Sequence, residues 1–147
     1  MKPGMAGKSG LAWLLAALVV CGGQAAAQEA AAPSISLELN SLQPAQGSCR
    51  LTFVAANNLG APLSKVAYEV ALFDGKGLVD RLTVLDFRLL PEGKTKVRQF
   101  DLPETNCADI GRVLINDATA CEGEGIEPAD CIRKLETSTR TKLDFGT

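Results

Sequence analysis

The side chains that could carry out catalysis in this chain are carboxylates, because its 147 residues include no histidine. Without histidine, the chain lacks the usual base of Ser-His-Asp and Cys-His catalysis. General acid–base catalysis would need two carboxyl groups whose pKa values differ, as in glycoside hydrolysis. Two pairs of acids are candidates, Asp80 with Asp86 and Asp101 with Glu104. Acids at strand edges and in loops can also be solvated side chains whose charge prevents pairing with another sheet.

A second concentration of acids lies late in the chain, between two cysteines. Its members are Glu122, Glu124, Glu127 and Asp130. Oxygen ligands on a loop with glycines suit calcium, but the spacing differs from a twelve-residue EF-hand loop. The loop is therefore either a calcium site or a solvated acidic surface. No Walker-type or dinucleotide-binding glycine pattern occurs, so the sequence predicts no cofactor.

Four cysteines lie beyond the first 27 residues, namely Cys49, Cys107, Cys121 and Cys131. An even number of cysteines in a small exported domain predicts two disulfides. Zinc sites usually bring cysteines in pairs two to four residues apart, and these four are ten or more apart. The spacing also lacks the Cys-x-x-Cys pattern of redox proteins. We therefore predict structural disulfides and no metal.

The first residues have the pattern of a signal peptide. Lys2 and Lys8 precede the apolar run 11–21, and small residues follow up to Ala27. Eleven apolar residues are too few to cross a membrane core, which needs about 20. We predict cleavage between Ala27 and Gln28, export by the general secretory route to the periplasm, and no membrane span after cleavage.

Cys21 is the residue of this segment that could suggest a lipid anchor. The residue before a lipidated cysteine is normally Gly, Ala or Ser, and here it is Val20. Cleavage after Ala27 removes two lysines and no acid, which takes the net charge from −2 to −4. Such a weak acidic charge gives no electrostatic reason to bind nucleic acid or an anionic membrane. We therefore expect neither of these partners.

Beyond a flexible tether at residues 28–34, the chain reads as a series of short strands. Apolar and polar residues alternate between turns rich in Gly and Pro. The strands are predicted to begin near Ile35, Cys49, Val66, Leu78, Lys94, Ile110 and Glu136, with one helical turn within Pro128–Lys134. A change of hydrophobic phase predicts a bulge or a change of sheet near Val84. About seven strands in residues 35–147 predict one all-β domain, an immunoglobulin-like two-sheet sandwich.

This fold class also predicts how the cysteines pair. In an immunoglobulin-like order, the strand that starts at Cys49 lies antiparallel to the strand 94–102. The start of one then meets the end of the other, and Cys107 follows that end closely. We therefore predict disulfides between Cys49 and Cys107 and between Cys121 and Cys131.

Part of the chain resembles a known family. The matching segments are Asn57-Asn58, Val66–Asp74, Gly77 and Leu89–Gly93. The chain from Cys49 to Leu102 resembles FxLYD-type bacterial β-sandwich domains, with Val70, Leu72, Phe73 and Asp74 at the naming motif. This chain has Val in place of the first Phe and Phe in place of Tyr. The whole chain also resembles exported alphaproteobacterial proteins. These resemblances imply a sandwich fold and no particular role.

The observations above favour a binding domain over an enzyme. Aromatic residues make up only 5% of the chain and histidine is absent, so it supplies little for a catalytic pocket. Sandwich loops and sheet edges are, in contrast, ready binding surfaces. We predict an exported, non-enzymatic domain that binds a protein or cell-envelope component. The alternative is a carboxylate-based periplasmic hydrolase.

Overall fold

The computed structural model describes residues 30–147. The predicted cleavage site between Ala27 and Gln28, and Cys21, lie outside the described residues. The strands are β1 (Ser34–Ala45), β2 (Ser48–Asn58), β3 (Leu63–Asp74), β4 (Val79–Leu90), β5 (Thr95–Pro103), β6 (Ile110–Glu122), β7 (Leu135–Thr139) and β8 (Asp144–Gly146). A 3-10 turn spans Cys107–Asp109, and the helix α1 spans Asp130–Arg133. No helix in this part of the chain is long and apolar enough to cross a membrane.

The eight strands form two four-stranded sheets. The first has the order β5-β2-β1-β7 and the second has the order β4-β3-β6-β8. Each sheet contains a hairpin of consecutive strands, and the chain crosses between the sheets after β2, β4, β5, β6 and β7. This arrangement confirms the predicted all-β, immunoglobulin-like sandwich. The short helix also lies within the predicted segment Pro128–Lys134.

The core lies where the inward side chains of both sheets meet. β2 is central, with β1 on one side and β5 on the other. Its alternate residues Leu51, Phe53 and Ala55 are fully buried. The Phe53 ring lies 5.5 Å from Phe87 and 5.7 Å from Phe145, both of the opposite sheet. The period-two pattern of β2 thus places an aromatic ring at the contact between the sheets.

The bulge predicted near Val84 is wrong, because β4 is irregular at two other places. Val84 pairs in register with Glu69, whereas the ladder with β3 skips Asp80 and Phe87. At the second bulge Arg88 has a φ of 60°, and its backbone N–H donates to the Asp86 carboxylate over 2.8 Å. That hydrogen bond supports a backbone turn which a side-chain pattern does not reveal.

The predicted last strand, Glu136–Phe145, is two strands in different sheets, which makes eight strands in place of seven. β7 pairs with β1 and β8 pairs with β6, both in parallel. Between them, the Thr139 hydroxyl accepts from the Thr141 N–H and the Thr141 hydroxyl accepts from the Leu143 N–H. Such side-chain bonds to the backbone favour a turn over a continuous ladder.

Asn57 holds the loop after β2 against β4. Its side chain is fully buried, donates to the carbonyls of Ala61 (2.9 Å) and Leu90 (3.0 Å), and accepts from the Leu59 N–H (3.0 Å). Both amide protons and the amide oxygen therefore have partners, as burial of this group requires. The Asn57 side chain thus anchors the loop between β2 and β3.

Both predicted disulfides are present, Cys49–Cys107 and Cys121–Cys131. Cys49 pairs with Leu102 in the β2–β5 ladder, which places it beside the start of the segment that leads to Cys107. At the second disulfide, the buried Tyr68 hydroxyl donates to the Cys131 carbonyl over 2.8 Å. Burial raises the pKa of the Tyr68 hydroxyl, so it remains a neutral donor.

Candidate functional site

β4 and β5 are edge strands of different sheets, and together they form one side of the sandwich. The Arg98 guanidinium on β5 crosses this side and donates to the carbonyls of Phe87 (2.8 Å) and Leu89 (3.2 Å) on β4. Further along, Arg81 on β4 donates to the Pro103 carbonyl at the end of β5 (2.8 Å). We call this side, made of Val79–Leu90 and Thr95–Pro103, the open side.

Exposed hydrophobic side chains concentrate on the open side. Among the described residues, six large hydrophobic side chains are exposed by half or more: Leu78, Val79, Leu82, Val84, Leu89 and Val97. All six lie on β4, on β5 or in the turn that leads into β4. Leu82 and Val84 pair with Ala71 and Glu69 of β3 and occupy the face away from the core. This concentration makes the open side the candidate interaction surface of the described residues.

The outer edge of β4 is the second feature of the open side. Along its inner edge β4 pairs with β3, and no described strand pairs with its outer edge. Arg98 covers the outward carbonyls of Phe87 and Leu89. The segment Leu82–Leu85 lies between the two bulges, and no side chain of the described residues forms a hydrogen bond with its outward backbone groups. Its backbone can therefore pair with a further strand.

A groove of about 580 Å³ lies between the two edge strands. It is lined by Val84, Asp86, Arg88, Arg98, Gln99 and Phe100. Phe100 is half-buried, and its ring centre lies 5.0 Å from that of Phe87 in the core. The groove therefore offers an aromatic surface within a charged rim.

A smaller hollow of about 110 Å³ lies where β4 begins and β5 ends. Its lining includes four carboxylates, Asp74, Asp80, Glu104 and Asp109. None of these four forms an ion pair with another residue of the described chain, Lys76 and Arg81 included. We call this hollow the acidic end of the open side. The groove, in contrast, carries Arg88 and Arg98, so the charge changes sign along β4.

The structure does not bring together the acids in the pairs that the sequence suggested. Asp101 forms two hydrogen bonds with the Arg50 guanidinium, of 2.6 and 2.9 Å, and these hold the pKa of its carboxyl below the usual value. Asp86 supports the β4 bulge and lines the groove. Asp80 and Glu104 instead share the acidic end, because the sandwich places the start of β4 beside the end of β5.

The acidic loop closed by Cys121 and Cys131 contains one well-buried acid, Asp130. Its carboxylate accepts from the Glu127 N–H (3.3 Å) and lies 3.2 Å from the Lys134 ammonium. The Lys134 contact, more than any other, lowers the pKa of Asp130. Asp130 thus stabilises the turn into α1. Within residues 30–147, no three potential metal ligands come together.

The fold and this surface define a class of protein, the immunoglobulin-like β-sandwich with an exposed sheet edge. No family model matches the chain, and no curated protein does. Among solved structures, the chain is similar to IrmA from Escherichia coli, with 14% identity and a TM-score of 0.58. The match covers 71% of this chain and 91% of the other. At this identity the likeness shows a β-rich fold. It gives no support for membership of the FxLYD-type family.

Proposed function

We propose that this protein is a non-enzymatic binding domain that contacts a protein or another cell-envelope component through its open side. The observation that carries the proposal is the row of exposed hydrophobic side chains along a strand whose outer edge is unpaired. Edge strands that avoid partners usually carry bulges, lysine, proline or inward charges, and β4 has a bulge on either side of Leu82–Leu85. The segment Leu82–Leu85 itself reads Leu-Thr-Val-Leu and has none of these. An edge of this kind is suited to pairing with a partner.

The cysteines support a location outside the cytoplasm. Two disulfides in a small domain fit an oxidising compartment outside the cytoplasm. Together with the signal peptide predicted from residues 1–27, they support a periplasmic location. The proposed partner is therefore a component that faces the periplasm.

The carboxylates support this proposal over a hydrolase. A glycosidase needs two carboxyl groups on either side of a bound sugar. Asp101 is engaged by Arg50. Asp80 and Glu104 share a hollow of about 110 Å³, whereas ligand pockets are roughly 300–1,000 Å³. The groove of about 580 Å³ contains only one of the candidate acids, Asp86, so it does not supply the pair of carboxyl groups that this chemistry requires.

Site-specific photo-crosslinking in the native cell envelope tests the proposal. A photoreactive residue at position 82 replaces Leu82, and the matched control replaces Ser138 on β7, which is exposed at the opposite edge of the sandwich. We expect a discrete adduct from position 82 and none from position 138, with the partner identified by mass spectrometry. Equal labelling from both positions, or labelling from position 138 alone, contradicts the proposal.

Single acid substitutions separate the two functions. Changing Asp80, Asp86, Asp101 or Glu104 to alanine, one at a time, should alter the yield of that adduct by less than about fivefold, because exposed charges contribute little individually. In an acid–base enzyme, one such change commonly costs roughly 10² to 10⁴ in rate. A loss of that size in a cellular assay, with an unchanged circular dichroism spectrum, favours the hydrolase.

A further inference from the structure

We propose that the β4 edge binds an extended segment of another protein as an added strand, with apolar side chains at alternate positions and a lysine or arginine beside Asp80. This inference rests on the proposed function and specifies the chemistry of the partner. It follows from three observations on the open side: an unpaired backbone edge, apolar side chains on one face of that edge with an aromatic ring on the other, and a charge that changes sign along it.

The backbone supplies the first part of the argument. Between the bulges at Asp80 and Phe87, β4 keeps regular register with β3. Regular register on one edge leaves the N–H and C=O groups of every second residue directed to the opposite edge. Leu82–Leu85 is thus long enough to pair with a short strand and too short for an extensive sheet. The bulges set the length of the segment that binds.

The side chains supply the second part. Successive residues of an added strand point to opposite faces. One set of its side chains would lie over the exposed Leu82 and Val84, and the other set would point into the groove toward Phe100. The first surface is apolar, and the groove offers the Phe100 ring within a charged rim. The partner therefore needs apolar residues at alternate positions and tolerates one in the groove between them.

The groove also distinguishes an extended segment from a second copy of this chain. In a dimer through β4, the side chains of the partner strand that face inward are Leu85 and Phe87, and both are buried in their own core. They are not free to enter the groove above Phe100. A segment without a core of its own fills both surfaces, so it fits the open side better than a folded copy does.

The charges supply the third part. Asp74, Asp80, Glu104 and Asp109 surround the hollow at one end of β4 without a cation within salt-bridge distance. Asp74 accepts hydrogen bonds from two backbone N–H groups of the turn, and no such bond is described for the other three. A lysine or arginine at the matching end of the bound segment would complement them. A glutamate or aspartate at that end of the segment would be repelled.

Synthetic peptides test this inference directly. The probes are fluorescein-labelled decapeptides of alternating Val and Thr that carry two lysines at one end, made with the lysines at either end because both strand directions are allowed. The comparison probes carry two glutamates at the same positions. Fluorescence anisotropy should show at least about tenfold tighter binding of one lysine probe at low salt, with a smaller difference at high salt.

Variants of the protein locate the binding. Leu82→Lys with Val84→Lys should weaken binding of the lysine probe at least tenfold, and Ser138→Lys should leave it unchanged. Asp80→Asn with Glu104→Gln should reduce the affinity for the lysine probe to that for the glutamate probe. The matched control, Glu124→Gln with Glu136→Gln, removes two exposed acids elsewhere and should have no effect. Amide exchange at Leu82–Leu85 should slow when the probe binds.

Four results overturn the inference. Equal affinity for lysine and glutamate probes excludes the role of the acidic end. Binding that persists in the Leu82→Lys, Val84→Lys variant places the peptide elsewhere. A dimer by light scattering that this variant converts to a monomer shows that a second copy occupies the edge. If position 82 still yields its envelope adduct while no probe binds, the proposed function stands and this partner class is wrong.

Discussion

Replacing Cys49 and Cys107 together by serine should lower the melting temperature more than replacing Cys121 and Cys131. A disulfide restricts the unfolded chain, and the restriction grows with the length of the loop it closes. The two disulfides join residues 58 and 10 positions apart. In the loop-entropy model they contribute about 4 and about 2.7 kcal/mol. The difference of about 1.3 kcal/mol corresponds to roughly 5 °C in Tm for a domain of this size.

The comparison is best made by calorimetry on the oxidised wild type and the two double variants. The two disulfides have comparable native burial, because each contains one fully buried cysteine, Cys49 in the first and Cys131 in the second. The wild type measured with reductant is the control, and it should melt below both variants. A larger loss from the Cys121, Cys131 variant would show that local packing near α1, rather than loop length, decides the effect.

The fold could be predicted from the sequence because its signals are local. β2 alternates Leu51, Phe53 and Ala55 with smaller or polar residues, and the structure buries all three. Once neighbouring strands were inferred, the partner of Cys49 followed from the antiparallel register with β5. The positive φ of Arg88 left no such signal, because it depends on a backbone bulge and not on a side-chain pattern. The division of the last strand was missed for a similar reason.

The candidate site was less accessible from the sequence. A sheet edge was predicted as a binding surface only in general terms, because hydrophobic alternation does not reveal which face of a strand meets the core. In β4, Leu82 and Val84 lie in one phase and Leu85 and Phe87 in the other. A bulge near Val84 would have brought both phases into the core. The structure buries only the second phase and leaves the first exposed.

The acidic end depends on contacts between residues that are distant in the sequence. Asp80 belongs to the start of β4 and Glu104 follows β5, so only the crossing of the chain between the sheets brings them together. Pairing acids by nearness in the sequence selected Asp80 with Asp86 and Asp101 with Glu104. Neither pair shares a hollow in the structure. The position of the acidic end therefore depends on contacts between distant parts of the chain, whereas the strands could be predicted from the local pattern of apolar residues.

Phe53→Ala should lower the free energy of unfolding by about 3–5 kcal/mol, the usual cost of removing a fully buried phenylalanine. Phe53 is fully buried, and its ring contacts Phe87 (5.5 Å), Phe100 (6.0 Å) and Phe145 (5.7 Å). These rings come from both sheets, so the cavity would lie between the sheets and few side chains could move to fill it. Urea denaturation followed by circular dichroism measures the loss.

The same substitution should loosen the open side. Phe87 lies at the second bulge of β4 and Phe100 lines the groove, so a cavity beside both removes support from this edge. Amide exchange along β4 should therefore accelerate more than exchange along β7, which lies at the opposite edge of the other sheet. Phe53→Leu retains most of the volume and should cost less than about 1.5 kcal/mol. A loss below about 1 kcal/mol for Phe53→Ala would mean that the two sheets are not held together through this aromatic cluster.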